Sequence, residues 1–484
     1  MRYYFLLLFF FWASGRAHSQ TVEEAFNFGH TTPVGTARFV SMGGAFTALG
    51  ADPTAMSENP AAAGVYRKGM FSVSTALTSR SNITSHYGNE VTTGATYGSI
   101  PNLSLVLTGP ANGDWHFVNV GFTFQHRNDL RNAYIIEGVN TGSSKLDVYL
   151  GEVLNDPNLF VDEIPGRFPF TAGLAWGAVL LDTAGGQYYT PIAGYGQTQR
   201  YDASVSRNVA LYEFTVGANY MERVFLGATL GFTSLRYKVQ SRYTETLPEG
   251  SNSFLRSYSE YDDLHVSGSG MHINLGVIWW IKDWLRIGAS FRGSPTLRIS
   301  EGFVREVNAT WTDRPATFAL SPEGINQYRI RNPYRLQFGG ALVHKKWGIF
   351  SADWELTDYS HMLFKTDPGL AFDLSALNTE LSARLQNAWR LRAGIEKPIN
   401  RFAVRSGGFY GRGGDAQSPD LFGYGISAGG GMRIGHFVLD AAWMYHHRAG
   451  QKIQLYRGPG IPISPSERTL VEQHFIATLT YRFD

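Results

Sequence analysis

Cysteine is absent from the 484 residues, which excludes a disulfide scaffold and a thiolate metal site. Charge is scarce and balanced: 17% of residues are charged and the formal net charge is +2, so there is no basic footprint for nucleic acid. Long apolar runs are missing as well. Beyond the N-terminus no stretch approaches the roughly 18 apolar residues of a membrane-spanning helix, and the longest is "LGVIWWI", Leu275 to Ile281. Motifs for chemistry are equally lacking. No HExxH, Walker or dinucleotide pattern stands in a suitable context, and the adjacent His446 and His447 would lie on opposite faces of a strand. One GxSxG string runs from Gly425 to Gly429, but its Ser427 sits inside an alternating strand, not in the strand–turn–helix elbow that a hydrolase needs. The expectation is a protein that is not an enzyme, with no catalytic residue, metal or cofactor.

In excess are aromatic residues, at 14%, and glycines, 54 of them. The chain opens "MRYYFLLLFFFWASGRAHSQ", with a basic residue, a short apolar run and a small-x-small site, the pattern of a secretory signal peptide over residues 1–19. Gln20 is then the expected mature start.

From Met70 onward, runs of about ten residues alternate with period two, the strand signal. Val118, Val120, Phe122 and Phe124 point one way while Asn119, Gly121, Thr123 and Gln125 point the other. About fourteen such runs occur, near 70–80, 101–109, 116–127, 208–220, 223–238, 264–281, 284–300, 327–344, 347–360, 387–397, 400–411, 422–433, 436–447 and 473–483. Every second connection is short ("GPANGD", "MER", "KD", "KK", "PIN", "IG") and the others are long, including about eighty residues from Asn128 to Arg207. An even strand count with short turns on one rim and long loops on the other describes an all-β, transmembrane antiparallel β-barrel. Closure follows from backbone chemistry, since in lipid every N–H and C=O needs an internal partner and an open sheet edge has none. Trp279, Trp280, Trp284, Trp347 and Trp389 are expected beside the short turns as an interfacial girdle. The inward charges Glu213, Arg286, Arg335, Asp353, Glu355, Arg390, Arg392, Glu396, Arg405, Asp440 and Arg482 have mixed signs, which predicts a paired network bracing the lumen.

About fifty mature residues precede the first strand, and they contain "SMGGAFTALGADPTAMSENPAAAG", Ser41 to Gly64. This stretch is neither amphipathic helix nor strand. Its small residues suit a compact plug against the inner wall, Gly43 and Gly44 permit a tight turn, and Pro60 stops the preceding segment. Left as a linker, it would expose Met42, Phe46, Leu49 and Met56. The order Ala37-Arg38, Met42 to Phe46 and Asn59-Pro60-Ala61 resembles the N-terminal hatch of the FadL/TodX family of outer-membrane transporters for hydrophobic compounds. "FLGATLGF" (Phe225 to Phe232), "LRIGASFRGSPT" (Leu285 to Thr296) and "SADWELTDYS" (Ser351 to Ser360) resemble text of its Bacteroidetes branch.

The resemblance implies a hatch over residues 20–68, gated by Gly43, Gly44, Phe46, Asn59, Pro60 and Ala61, inside a barrel over 69–484. It implies passive passage of hydrophobic molecules such as long-chain fatty acids, with capture by extracellular loops and lateral exit where the third strand kinks. Gly121 is the candidate kink, with lumen lining as its other reading. In the long loop, Leu146, Tyr149, Leu150 and Val153 at helical spacing, with Phe170, Leu174 and Trp176, form either a capture groove or a small core of the loop itself. The expected partners are a hydrophobic small molecule, outer-membrane lipid and the barrel-assembly machinery, with the protein a monomer in the bacterial outer membrane. The alternative is a surface receptor, for hemin or a host molecule, without transport.

Overall fold

The computed structural model describes residues 22–29, 34–366 and 374–484; the signal-peptide segment lies outside them. Each of the fourteen alternating runs is a strand. In chain order they are β1 (Met70–His86), β2 (Asn89–Pro110), β3 (Trp115–Asn140), β4 (Gln197–Tyr220), β5 (Val224–Thr246) and β6 (Leu255–Lys282). Next come β7 (Leu285–Arg292, resuming as Thr296–Trp311), β8 (Gly324–Arg331, resuming as Tyr334–His344) and β9 (Gly348–Asp358). The last are β10 (Asn387–Ile399), β11 (Phe402–Arg412), β12 (Tyr424–Ile434), β13 (Phe437–Ile453) and β14 (Ser466–Arg482). Consecutive strands pair antiparallel, and β14 returns to β1 in register from Met70↔Arg482 to Ser85↔Glu467. The sheet is a closed barrel. β7 and β8 are broken at Pro295 and Pro333, which have no N–H for a ladder bond.

Alternation places the apolar side chains outside. Val118, Val120, Phe214 and Val216 are exposed, while Asn119, Thr123, Glu213 and Thr215 on the same strands are buried. No described helix is long and apolar enough to cross a membrane; the strands carry the apolar belt.

Three features differ from the sequence expectation. The strands outrun the predicted segments on the long-loop side, so the 80-residue gap shrinks to 141–196, and β1 joins β2 there by a tight hairpin whose Tyr87 and Gly88 have φ of 48° and 82°. Its polar flanks carry no apolar face, so periodicity hid them. Trp280 faces inward, with Arg286 stacked 4.0 Å over its ring, because successive strand residues take opposite faces and Trp279 holds the outer one. Trp389 sits at the opposite rim from the short turns, edge-on to Tyr410 at 5.6 Å. Trp279, Trp284 and Trp347 are exposed near the short-turn rim.

Candidate functional site: a layered lumen

The lowest layer is the segment from Val34 to Tyr66, folded inside the barrel. Asp52 caps the short helix Pro53–Glu58 by accepting from the Thr54 N–H (2.9 Å), and its carboxylate also accepts from the Thr36 hydroxyl at 2.8 Å. Asn59 caps the next turn through the Ala61 N–H (3.1 Å) and donates to the carbonyls of Thr47 (2.7 Å) and Val277 (3.1 Å). One side chain thus ties the segment to itself and to β6. Gly43 and Gly44, at φ 63° and 78°, make the turn after Phe39 to Ser41. Phe46, Met42, Leu49 and Met56 are buried, each such side chain contributing about 1.5–3 kcal/mol of burial.

Inward glycines of successive strands receive this segment. A side chain at Gly394 or Gly407 would overlap Met42, at Gly288 Thr47, at Gly227 Pro60, at Gly276 Asn59 and at Gly217 Ala63. Backbone meets backbone there, which explains why the glycines line one level of the wall. Gly121 belongs to this set. It faces Met56 within a regular ladder (Val106↔Gly121, Gly121↔Thr215), and the two irregularities of β3 fall between Trp115 and Phe117 and between His126 and Asn128. The upper of the two leaves Arg127 as a bulge residue.

Charges of both signs pair across this layer. Arg127 and Glu58 form a close buried ion pair, with Arg392 and Arg335 at 3.6 and 3.8 Å from the same carboxylate. Ser57 hydrogen-bonds Glu213, which also meets His272 (3.0 Å) and Arg292 (3.1 Å). Thr47 donates from its N–H and hydroxyl to Asp353 at 2.9 and 2.8 Å. Arg38 reaches Glu396 at 2.8 Å, and Arg405 joins Glu396 to Asp440 at 2.6 Å each. Of the inward charges anticipated, Arg286 stacks on Trp280 and Arg482 lies exposed at the rim, outside this network. Glu58 and Arg127 are central to it and were not anticipated. Ser427 of the GxSxG string simply accepts from the Gly43 N–H at 3.2 Å.

Above this layer lies an apolar core that sequence reasoning missed. Leu235, Val266, Leu297, Ile299, Tyr328 and Ile330 line its wall; the 359–385 loop adds Tyr359, Phe364 and Leu381, and Phe26 and Phe28 of the helix Val22–Gly29 occupy it. The signal was present as an inversion of phase. On β5 the apolar residues are even-numbered from Leu226 to Phe232 and odd-numbered from Leu235 to Val239, so the apolar face passes from outside to inside along one strand.

The long loop roofs the barrel. Leu146, Tyr149 and Val153 of the helix Leu146–Leu154 are buried, and with Leu174 they pack against Tyr243, Leu255, Tyr258 and Trp311 of the upper wall; Leu150, Phe170 and Trp176 are part-buried. Tyr149 donates to Glu260 at 2.7 Å. Leu146, Tyr149, Leu150, Val153, Leu174 and Trp176 converge into a packed core, and Phe170 lies apart from it against Phe303 at 4.6 Å.

One seam interrupts the wall. β2 pairs with β3 from Pro110↔Phe117 only as far as Asn102↔Gln125, although both strands continue. Pro101 stands at this point on β2, in a bulge against β1, and the Arg127 bulge stands opposite on β3. Beyond it, side chains replace the ladder: Arg80 donates to the Arg131 carbonyl (3.1 Å), Asn82 and Thr93 to that of Ala133 (3.0 Å each), Thr84 to that of Ile135 and Asn89 to that of Glu137 (2.9 Å). Among the described residues no three of His, Asp and Glu converge as a metal site.

No family model and no curated protein matches the chain. Among solved structures, a Pseudomonas aeruginosa FadL homologue aligns over 94% of this chain and 100% of its own, with a TM-score of 0.59 at 14% identity. The Pseudomonas putida toluene transporter TodX aligns over 94% and 100%, with a TM-score of 0.54 at 13% identity. A TodX monoaromatic hydrocarbon channel carrying the deltaS2 change aligns over 93% and 99%, with a TM-score of 0.56 at 12% identity. At such identities the likeness is one of fold: this chain is a closed fourteen-stranded barrel similar in architecture to these hydrophobic-compound channels.

Proposed function

We propose that the protein is a bacterial outer-membrane transporter of hydrophobic small molecules, long-chain fatty acids foremost, working by passive gated diffusion. The observation that carries this reading is the apolar core that Phe26 and Phe28 fill inside the barrel, between the packed long loop and the 34–66 segment. A water-filled pore offers an apolar solute no gain, whereas burial against Leu235, Leu297 and Ile330 contributes about 25 cal/mol per Å² of apolar surface. The β2–β3 seam supplies the lateral exit. Its side-chain bonds contribute about 0.5–1.5 kcal/mol each, so it opens without unpairing the rest of the barrel. Residues 20–68 act as the hatch, with Asn59 to Ala61 as its hinge to β6, and residues 69–484 as the barrel. The resemblance of the hatch to the FadL/TodX pattern and the similarity in fold support the same reading.

The test is uptake of a labelled long-chain fatty acid, with heme in parallel, by cells making the intact protein or the Asn59→Ala, Pro60→Ala variant. Entry that depends on the intact hatch is the expected result. If neither compound enters and one binds the cell surface equally in both versions, transport is refuted and the protein is a surface receptor.

A further inference from the structure

The outer wall changes chemistry at one level. On β6 the outward residues from Trp279 to Met271 are apolar, and all but the half-buried Val277 are exposed. Eight residues make about 27 Å of strand, or about 20 Å of barrel height at a tilt near 40°, close to the height of a lipid-facing band. The next outward positions are Ser269, Ser267 and His265 on β6, beside Ser234, Arg236 and Lys238 on β5. Here hydrocarbon contact ends.

At this level four cations crowd onto neighbouring strands. Leu297, Ile299, Ile330 and Phe364 point into the apolar core, so Arg298 of β7, Arg329 and Arg331 of β8 and Lys365 of the short strand Leu363–Lys365 point out. The register sets Arg298 opposite Arg329, and Arg329 opposite Lys365, with Arg331 opposite Thr296 and Leu363. Like charges directly opposite one another destabilise a sheet. Arg298, Arg331 and Lys365 make no ion pair with any described carboxylate, and the Arg331 Nε is buried without a hydrogen-bond partner. The nearby acids are engaged elsewhere: Glu301 turns inward to Tyr328 at 3.0 Å, and Asp263 holds His265 at 2.8 Å. Glu323 remains on the rim of a groove of about 740 Å³ that adjoins the cations, lined by Ser206, Ser234, Ser267 and Ser300 together with Asn208 and Arg236. Arg298, Arg331 and Lys365 therefore present positive charge that no described carboxylate pairs, beside a hydroxyl-lined concavity, where the acyl-chain region stops.

We propose that this patch on β5–β8 binds the phosphorylated saccharide headgroup of a glycolipid in the leaflet on the long-loop side. Arg298, Arg331 and Lys365 take the phosphates, for which a guanidinium offers two parallel N–H donors. The serine groove takes the sugar hydroxyls, and the acyl chains run down the belt past Met271 and Ile273. The proposal rests on the membrane reading of the belt.

The test uses the purified full chain in detergent micelles, first shown to be a folded barrel by heat-modifiable migration. Native mass spectrometry then measures retention of an acylated glucosamine disaccharide bisphosphate, its dephosphorylated counterpart and phosphatidylglycerol. Expected is retention of the bisphosphate at least about tenfold above the other two, about one charge-assisted contact's worth of discrimination. The Arg298→Ala, Lys365→Ala variant should lose at least about tenfold of that retention while its heat-modifiable band is unchanged, and Arg401→Ala at the short-turn rim should lose none. Equal retention of all three lipids, or equal loss in Arg401→Ala, overturns the site while leaving the barrel intact. A chain with no heat-modifiable form overturns the membrane reading, and the lipid site with it.

Discussion

Glu58 ends a six-residue helix with its carboxylate among Arg127, Arg335 and Arg392 and an accepting bond from Gln337 at 2.5 Å. Removing one member of a buried ion cluster costs about 3–5 kcal/mol, because the partner charges stay behind without compensation. Glu58→Gln keeps the shape and removes the charge, so the hatch should loosen while the barrel stays folded. Single-channel conductance in planar bilayers checks this: larger or flickering currents than those of the parent chain are expected, and currents identical to the parent's would show that the ion pairs do not hold the hatch. Glu58 was visible in the sequence as part of the hatch stretch, but its partners were not, since they lie on three strands scattered along the chain. Gly121 shows the same limit. A strand glycine marks either a bulge or a close approach, and only Met56 lying against it decides for the second.

At the scale of elements, the hatch fits because facing backbones approach across glycines. Gly276→Val on β6 would drive a side chain into Asn59 and Pro60, while the outward face of β6, from Met271 to Trp279, is untouched. The expected outcome is a heat-modifiable barrel whose 34–66 segment becomes a protease site; a segment as resistant as in the parent protein would mean that the close approach is not needed for seating. Alternation made the strands legible, because a side chain's face depends only on its own parity. The roof was half legible. Helical spacing found Leu146, Tyr149 and Val153, yet whether such a face binds ligand or packs depends on what stands opposite, here Tyr243, Leu255 and Tyr258 from β5 and β6.

The described residues form a stack of packed loop, apolar core and the inner 34–66 segment inside one wall with one seam. The absence of cysteine makes the seam directly testable. Thr93→Cys with Ala133→Cys joins β2 to β3 where the Thr93 hydroxyl already donates to the Ala133 carbonyl at 3.0 Å. Oxidation should abolish fatty-acid uptake and reductant should restore it, with each single variant behaving as the parent; undiminished uptake through the oxidised double variant would mean that ligand leaves by another route. What the amino-acid sequence determined by itself is the number of strands, the face each residue takes and the rim with short turns, because these follow from local parity, turn chemistry and the need of a barrel in lipid to have no edge. The tertiary structure alone decided the rest: which charges pair, where β3 leaves β2, what fills the roof, and that the inverted apolar phase of several strands packs into one core. Those depend on register between strands remote in sequence, and register is a property of the assembled sheet.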